Sequence, residues 1–310
     1  MPLSGKSLVS ILDLTPEDIT RVFQVAEELR RLLKRGKKLN AAEGRVMATV
    51  FMEPSTRTRL SFQSAMLKLG GSILDFGEVE RTSIVKGETL ADTIRMVDSY
   101  LIDLIVLRHP GEGASKLAAE VASVPVINAG DGSREHPTQT LLDLYTIWRE
   151  LGRVSSLKVG VMGDLKYGRT PSSLCYGLSL FPGNEVYLIS PPELRMRPEV
   201  LETVKGKLRW EEVRDLSQVI GELDVLYITR IQKERFPDPY EYERVKGSYM
   251  LKPSDLEKAK PELIVLHPLP RTEELPPQVD ETRHAKYFDQ AKNGLYIRAA
   301  LIAEILELRW

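Results

Sequence analysis

The sequence predicts an α/β protein with two domains, each built on a parallel β-sheet flanked by helices. Short apolar segments of strand-like composition alternate with segments of helical periodicity, as is typical of parallel sheets with crossover helices. This pattern restarts after one long helical segment, PTQTLLDLYTIWRELG at 137–152. The chain has 310 residues, enough for two domains of ordinary size.

The first half begins with a helix and continues with alternating strands and helices. Apolar residues recur at helical spacing after Thr15 and Pro16, which form an N-terminal signal, and stop before Gly36. The run RVMATVF has the composition of a buried strand. The segments predicted here are a helix between 15 and 36, a strand over 45–51, a helix over 56–69, and strands over 101–107 and 124–129.

In the second half we expect strands over 157–163, 185–190, 223–229 and 263–269, separated by helices. The last segment, GLYIRAALIAEILELRW, is an apolar helix. We expect it to pack back on the first domain, although its periodicity does not decide which domain it joins. The predicted organisation is a first domain of 1–136 plus 290–310, a linking helix of 137–152, and a second domain of 153–289.

Composition and charge exclude several classes of function. The 43 Lys and Arg residues balance 44 Asp and Glu residues, giving a net charge of −1, so no overall field favours nucleic acid or an anionic membrane. No apolar run approaches the ~20 residues of a membrane span, and the N-terminus lacks a signal-peptide pattern. Cys175 is the single cysteine, so no internal disulfide can form. We expect a cytoplasmic protein.

Motifs for metals and nucleotides are also missing. The four histidines, 109, 136, 267 and 284, never occur four residues apart on a helix, so we expect no metal site and no cofactor. The segment Gly5-Lys6-Ser7 lacks the preceding glycine of a phosphate-binding P-loop, and GVMGDLKYG lacks dinucleotide-binding spacing.

The segment Ser55-Thr56-Arg57-Thr58-Arg59 follows a predicted strand and begins a helix. A helix N-terminus offers unpaired N–H groups and a positive dipole end. Ser55 and Thr56 can cap the helix and supply hydroxyls, and Arg57 adds a guanidinium suited to phosphate. Two interpretations fit these residues equally well. One is a phosphate site, and the other is an ordinary capped helix with solvated arginines.

The sequence resembles the aspartate/ornithine carbamoyltransferase family over nearly its whole length. Seven family motifs occur in order. They are PSTRTRLSF (54–62), TSIVKGETLADT (82–93), LRHPGEG (107–113), HPTQTLLDL (136–144), GDLKYGRT (163–170), TRIQKER (229–235) and HPLPR (267–271). The similarity is closest to members that carbamoylate aspartate, which implies carbamoyl transfer from carbamoyl phosphate to L-aspartate in pyrimidine biosynthesis.

The resemblance implies roles for individual residues. The first domain would bind carbamoyl phosphate and the second aspartate, with closure excluding water. His136 would act as a neutral polariser of the carbonyl oxygen rather than as a general base. Arg298 resembles a family residue near the site. The implied carbamoyl phosphate ligands are Ser55, Thr56, Arg57, Thr58, Arg108, His136, Gln139 and the backbone carbonyls of Leu269 and Pro270; the implied catalytic residues are Arg57, Thr58, His136 and Lys86.

The resemblance also implies a second set of residues for aspartate, namely Lys86, Arg169, Arg230 and Gln232. In the family the loop with Ser83 and Lys86 reaches into the neighbouring chain's site, so a homotrimer with shared active sites is implied. Two residues separate Ser83 from Lys86 here, one fewer than in the commoner family form, and this departure puts the role of Ser83 in question.

Two alternative functions are open to a chain with these motifs. Ornithine-specific members share the phosphate signature but usually carry His-Cys-Leu-Pro where this chain has His267-Pro268-Leu269-Pro270. A non-catalytic anion-binding relative would be expected to lack Arg57, Lys86 or His136, and all three are present. Family members occur as bare trimers and as larger assemblies with zinc-bearing regulatory chains, and no feature of this sequence decides between them.

Overall fold

The computed structural model describes residues 3–76, 87–233, 236 and 238–310. The chain divides into two compact units, one of Met1–Leu141 with Asn293–Trp310 and one of Leu142–Lys292. Each unit is built on one parallel sheet with helices, which confirms the predicted fold class. Over the described part of the chain, no helix combines the length and the apolar character that a membrane span requires.

The sheet of the first unit has four parallel strands. Its strands are β1 (Val46–Phe51), β2 (Ser72–Asp75), β3 (Leu104–His109) and β4 (Val126–Asp131), in the order β2-β1-β3-β4. The helices are α1 (Pro16–Lys34), α2 (Thr56–Leu69), α3 (Leu90–Asp98) and α4 (Ala114–Val121). Apolar residues of β1 and β3 pack against α3 and α4 and form a core that includes Val50, Ile94, Ile105, Leu107 and Ala118.

Two helices carry the chain from one unit to the other, α5 (Pro137–Leu151) and α9 (Tyr287–Ile305). In the C-terminal part of α9, the Arg298 Nη1 donates to Ser61 Oγ of α2 at 2.6 Å, and its guanidinium lies 5.3 Å from the Phe62 ring centroid. Glu304 accepts a hydrogen bond from Arg21 Nε of α1 at 3.1 Å. The C-terminal helix therefore packs on the first unit, as predicted.

The sheet of the second unit has five parallel strands. They are β5 (Lys158–Met162), β6 (Glu185–Ile189), β7 (Arg209–Val213), β8 (Val225–Ile228) and β9 (Ile264–Leu266), in the order β7-β6-β5-β8-β9. Further helices are α6 (Arg169–Ser179), α7 (Pro198–Val204) and α8 (Pro239–Val245). One buried apolar cluster includes Ile189, Leu223, Leu226, Val265 and Tyr287.

The edge strands β2 and β7 are absent from the sequence prediction, which is wrong at these two places. Both lie at a sheet edge and expose most of their residues. An edge strand that is open to solvent needs no continuous apolar run, so charged residues such as Asp75 and Glu211 are tolerated there. Their strand conformation follows from pairing with β1 and β6.

In each sheet the strand order reverses at one place. The reversal lies between β1 and β3 in the first unit and between β5 and β8 in the second. At such a point the connections leave in opposite directions and open a crevice at the carboxyl ends of the strands, where α/β proteins bind ligands. The fold therefore marks one candidate binding crevice in each unit.

Gly163 follows β5 at the reversal point of the second unit. Its φ is +120°, and a Cβ atom there would lie 2.2 Å from the Thr229 carbonyl oxygen. We expect Gly163→Ala to lower the free energy of unfolding by about 3–5 kcal/mol, because backbone must move to make room. Gly206→Ala is the matched control, since Gly206 also has a positive φ but a Cβ there would meet nothing within 4 Å. If urea unfolding shows equal losses of stability in the two variants, the close approach of the backbone at Gly163 to Thr229 is contradicted.

Candidate active site

The crevice of the first unit begins where β1 leads into α2. Ser55 occupies the N-cap position, but its side chain makes no capping hydrogen bond, and the first turn contains no acidic residue. The expectation that Ser55 caps the helix through its side chain is therefore wrong in this structure. The first-turn N–H groups, which include those of Thr56 and Arg57, and the positive end of the helix dipole are suited to an anion.

The two arginines in the first turn of α2 have different environments. Arg59 Nε donates to Asp75 Oδ1 at 3.0 Å, and its Nη2 pairs with the other carboxylate oxygen. Thr49 Oγ1 donates to the same carboxylate at 2.6 Å. Arg59 therefore ties α2 to the end of β2, whereas Arg57 is exposed beside Thr58, which is buried.

Arg108 lies near the end of β3, adjacent to the end of β1. Its Nη2 is 2.9 Å from Glu53 Oε1, and its Nη1 donates to the Ala129 carbonyl at 3.3 Å. The Met52 N–H donates to the Arg108 carbonyl at 2.8 Å. These contacts hold the Arg108 guanidinium beside Glu53, three residues before α2 begins.

His136 and Gln139 lie at the start of α5, beyond β4. The imidazole of His136 is buried, with its Nδ1 3.4 Å from Thr138 Oγ1. The Gln139 N–H donates to the His136 carbonyl at 2.9 Å, and the Gln139 side chain is also buried. Burial and the helix start together restrict both polar side chains to few orientations.

Two arginines of the second unit lie on segments that follow the adjacent strands β5 and β8. Arg169 is the first residue of α6 and is buried, and Arg230 is half-buried two residues beyond β8. The Thr229 N–H donates to the Met162 carbonyl at 2.9 Å. Asp164 Oδ1 accepts from the Tyr167 N–H at 2.9 Å, which stabilises the loop leading to Arg169.

The loop after β9 is held by a buried pair of side chains. His267 Nε2 lies 2.9 Å from Glu274 Oε1, and the Leu269 N–H donates to His267 Nδ1 at 2.8 Å. Glu274 also accepts from the N–H and hydroxyl of Thr272, at 2.9 and 2.6 Å. Burial by itself raises the pKa of Glu274, but the bonds from His267 and Thr272 outweigh it and lower the pKa from 4.5 to about 2.

The chain matches both domains of one protein family. Residues 6–149 match the family model "Aspartate/ornithine carbamoyltransferase, carbamoyl-P binding domain", and residues 155–305 match "Aspartate/ornithine carbamoyltransferase, Asp/Orn binding domain". The chain belongs to the aspartate/ornithine carbamoyltransferase family. Together these matches cover most of both units.

Individual members of the carbamoyltransferase family are similar over almost the whole chain. The aspartate carbamoyltransferase catalytic subunit of Methanopyrus kandleri is 52% identical over 305 residues, covering 98% of each chain. The structure of the M. jannaschii aspartate transcarbamoylase catalytic subunit has a TM-score of 0.88 and 50% identity, covering 97% of this chain and 98% of that one. Trypanosoma cruzi aspartate transcarbamoylase in complex with carbamoyl phosphate and aspartate has a TM-score of 0.92 and 40% identity, covering 98% and 96%.

The residues predicted from the carbamoyltransferase motifs fall into separate groups in the structure. The first unit contains those at the ends of β1 and β3 and at the start of α5, and the second unit contains those after β5, β8 and β9. Ser83 and Lys86 lie outside the described residues. The first group comprises Ser55, Thr56, Arg57, Thr58, Arg108, His136 and Gln139, and the second comprises Arg169, Arg230, Gln232, Leu269 and Pro270.

Three residues beside the carbamoyltransferase motifs were not singled out by sequence reasoning. Glu53 pairs with Arg108, Asp75 pairs with Arg59, and Glu274 pairs with His267. Only Glu53 carries a local signal, since it directly precedes the PSTRTR segment. The other two carboxylates meet their partners through tertiary contacts that no sequence spacing indicates.

The low pKa of Glu274 predicts an acid-dependent loss of stability. The ionised carboxylate stabilises the folded state above the pKa of an unfolded glutamate, 4.5, and this contribution is lost as pH falls through about 2. After allowance for solvent screening we expect about 2 kcal/mol. Urea unfolding from pH 6 to pH 2 should therefore show wild type and Glu274→Gln converging at acid pH. Glu273→Gln, at an exposed neighbour, is the control, and a pH-independent difference for Glu274→Gln would contradict the assignment.

Proposed function

We propose that this protein transfers the carbamoyl group of carbamoyl phosphate to the amine of L-aspartate, giving N-carbamoyl-L-aspartate and phosphate, an early step of pyrimidine biosynthesis. The observation that carries this proposal is the pair of arginines after β5 and β8, Arg169 and Arg230. Two cations in this crevice suit the two carboxylates of aspartate and repel the ammonium side chain of ornithine.

Carbamoyl phosphate is proposed to bind at the start of α2. The phosphate would be held by the first-turn N–H groups, the hydroxyls of Ser55, Thr56 and Thr58, and the guanidinium of Arg57. Arg108 would supply a second guanidinium. The remaining proposed ligands, which would contact the carbamoyl group, are the Gln139 side chain and the backbone carbonyls of Leu269 and Pro270.

The proposed chemistry is acyl transfer through a tetrahedral intermediate. The aspartate amine forms a C–N bond to the carbonyl carbon while the carbonyl oxygen gains negative charge, and Arg57, Thr58 and His136 stabilise that charge. The C–O bond to phosphate then breaks, and the leaving phosphate takes the proton released by the amine. In this scheme phosphate itself is the proton acceptor, so no separate general base is required.

Aspartate is proposed to bind through Arg169, Arg230, Gln232 and Lys86, with Lys86 and Ser83 supplied by a neighbouring chain of a homotrimer. Exposed apolar side chains support a subunit contact, since Leu60 and Leu67, seven residues apart on α2, are 57% and 60% exposed. A cytoplasmic location suits a chain whose single cysteine, Cys175, is buried and free. The domain roles are those of the sequence prediction, carbamoyl phosphate on 1–136 with 290–310 and aspartate on 153–289.

Phosphate release with two different amines tests the proposed reaction. Purified protein is supplied with carbamoyl phosphate and either aspartate or ornithine, and both phosphate and carbamoylated amine are measured. We expect turnover with aspartate alone. Turnover with ornithine would mean that the arginine pair does not select a dicarboxylate, and binding without any turnover would mean a non-catalytic anion-binding protein. Sedimentation of the same sample measures the proposed trimer.

A further inference from the structure

The loop after β9 presents two backbone carbonyls. Within the described residues, neither the Leu269 nor the Pro270 carbonyl oxygen accepts a hydrogen bond. Leu269 is half-buried and Pro270 is exposed. Leu269 also has a φ of +55°, in the left-handed region that a leucine rarely adopts. If these two carbonyls are to accept hydrogen bonds from a ligand in a fixed direction, other contacts must hold the segment in place.

His267 holds this segment in place through both ring nitrogens and its backbone N–H. Its N–H donates to Gln290 Oε1 at 2.8 Å, and Gln290 Nε2 in turn donates to Asp143 Oδ1 at 2.6 Å. The side chain of His267 is 1% exposed and contacts both Leu269 and Glu274. The ring therefore cannot turn without breaking buried hydrogen bonds.

These contacts select one tautomer of the imidazole. The Leu269 N–H is a donor, so the Nδ1 atom that it contacts must be unprotonated. The ring proton is then on Nε2, where it donates to the Glu274 carboxylate. Glu274 thus orients His267, and His267 fixes the N–H of Leu269, which sets the direction of the peptide groups that follow.

We propose that His267, oriented by Glu274, is a positioning residue that makes the site prefer a carbamoyl group over an acyl group of the same shape. This inference rests on the proposed function, in which the Leu269 and Pro270 carbonyls accept hydrogen bonds from the carbamoyl amide. An NH2 group donates two hydrogen bonds, whereas a methyl group in its place leaves both carbonyls unpaired. A site built to pair with a donor rejects an analogue that lacks it.

Two stable phosphonates that differ at one group provide the test. Phosphonoacetamide carries the NH2 group, and phosphonoacetone carries a methyl group at the same position. Their dissociation constants are measured by calorimetry with the full-length wild type, His267→Asn and His267→Gln, with inorganic phosphate as a reference ligand. The asparagine amide oxygen can replace Nδ1 as the acceptor for Leu269, whereas the glutamine amide replaces Nε2 and leaves the Leu269 N–H without its acceptor.

We expect wild type and His267→Asn to bind phosphonoacetamide more tightly than phosphonoacetone. In His267→Gln the ratio of the two dissociation constants should shrink roughly tenfold, the equivalent of one hydrogen bond. Phosphate affinity should be the same in all three proteins. A preference that is unchanged in His267→Gln, or lost equally in both variants, would overturn the positioning role. If wild type binds neither phosphonate, the proposed carbamoyl phosphate site itself fails, and the inference fails with it.

A measurement on the wild-type protein keeps the inference testable if the variants do not fold. The chain has only 4 histidines, so ¹⁵N-histidine NMR of the wild type can resolve the ring of His267, which is assigned by correlating each ring with its own backbone. We expect a neutral ring with hydrogen on Nε2 and a hydrogen-bonded Nδ1. The Nδ1–H tautomer, or an imidazolium ring at neutral pH, would overturn the proposal.

Discussion

Replacing Arg57 with alanine is expected to lower the rate of carbamoyl transfer by about 10²–10³-fold, because this removes one of the donors proposed to stabilise the developing oxyanion. The same guanidinium is proposed to hold the phosphate, so the KM for carbamoyl phosphate should rise as well. Steady-state kinetics with saturating aspartate measures both changes.

Arg59→Ala is the matched control for this prediction. Arg59 lies in the same helical turn, but it pairs with Asp75 in a partly exposed ion pair. Such pairs contribute about 0–1 kcal/mol to stability, so turnover should stay within a few-fold of wild type. Comparable losses of activity in the two variants would show that the turn acts as a whole rather than through Arg57.

Replacing Arg230 with leucine is expected to raise the KM for aspartate by about 30-fold or more, since Arg230 is proposed to pair with a substrate carboxylate and losing one partner of a desolvated charge pair costs roughly 2–5 kcal/mol. The affinity for carbamoyl phosphate should not change, because the two substrates are proposed to use different residues. Arg230→Lys retains the positive charge without the planar guanidinium. Its KM for aspartate should lie between those of wild type and Arg230→Leu.

Arg209→Leu controls for the loss of one positive charge in the same unit, because Arg209 is exposed on the edge strand β7. Its aspartate KM should equal that of wild type. If Arg230→Leu leaves the aspartate KM unchanged while Arg209→Leu does the same, the second crevice does not bind the amino acid substrate.

The buried central strands illustrate what periodicity predicts well. RVMATVF and LIVL are mainly apolar because β1 and the first four residues of β3 are almost entirely buried, and a parallel sheet covered by helices requires such strands. The edge strands β2 and β7 have no comparable pattern, since one side is open to solvent. Their existence depends on neighbouring strands that lie elsewhere in the chain.

At the candidate site, the STRTR segment likewise shows which features the sequence predicts and which depend on tertiary contacts. Its position between a strand and a helix and its similarity to the family motif predict a phosphate site, but two arginines of equal chemistry lie in it. The structure shows that Asp75 is close enough in space to pair with Arg59, which the sequence does not indicate. Similarly, no pattern in the sequence indicates that Glu274 would orient His267.

The sequence by itself determined the fold class, the family and the chemical types of the site residues, because apolar periodicity and ordered motifs are local properties of the chain. The tertiary structure decided which charged residues are paired: Arg59 with Asp75, Arg108 with Glu53, and Glu274 with His267. Pairing depends on how the chain folds between the two partners, which are 55 residues apart for Arg108 and Glu53 and 7 apart for Glu274 and His267. The strand order likewise places the reversal points, and only that order brings the ends of β1 and β3, and of β5 and β8, side by side.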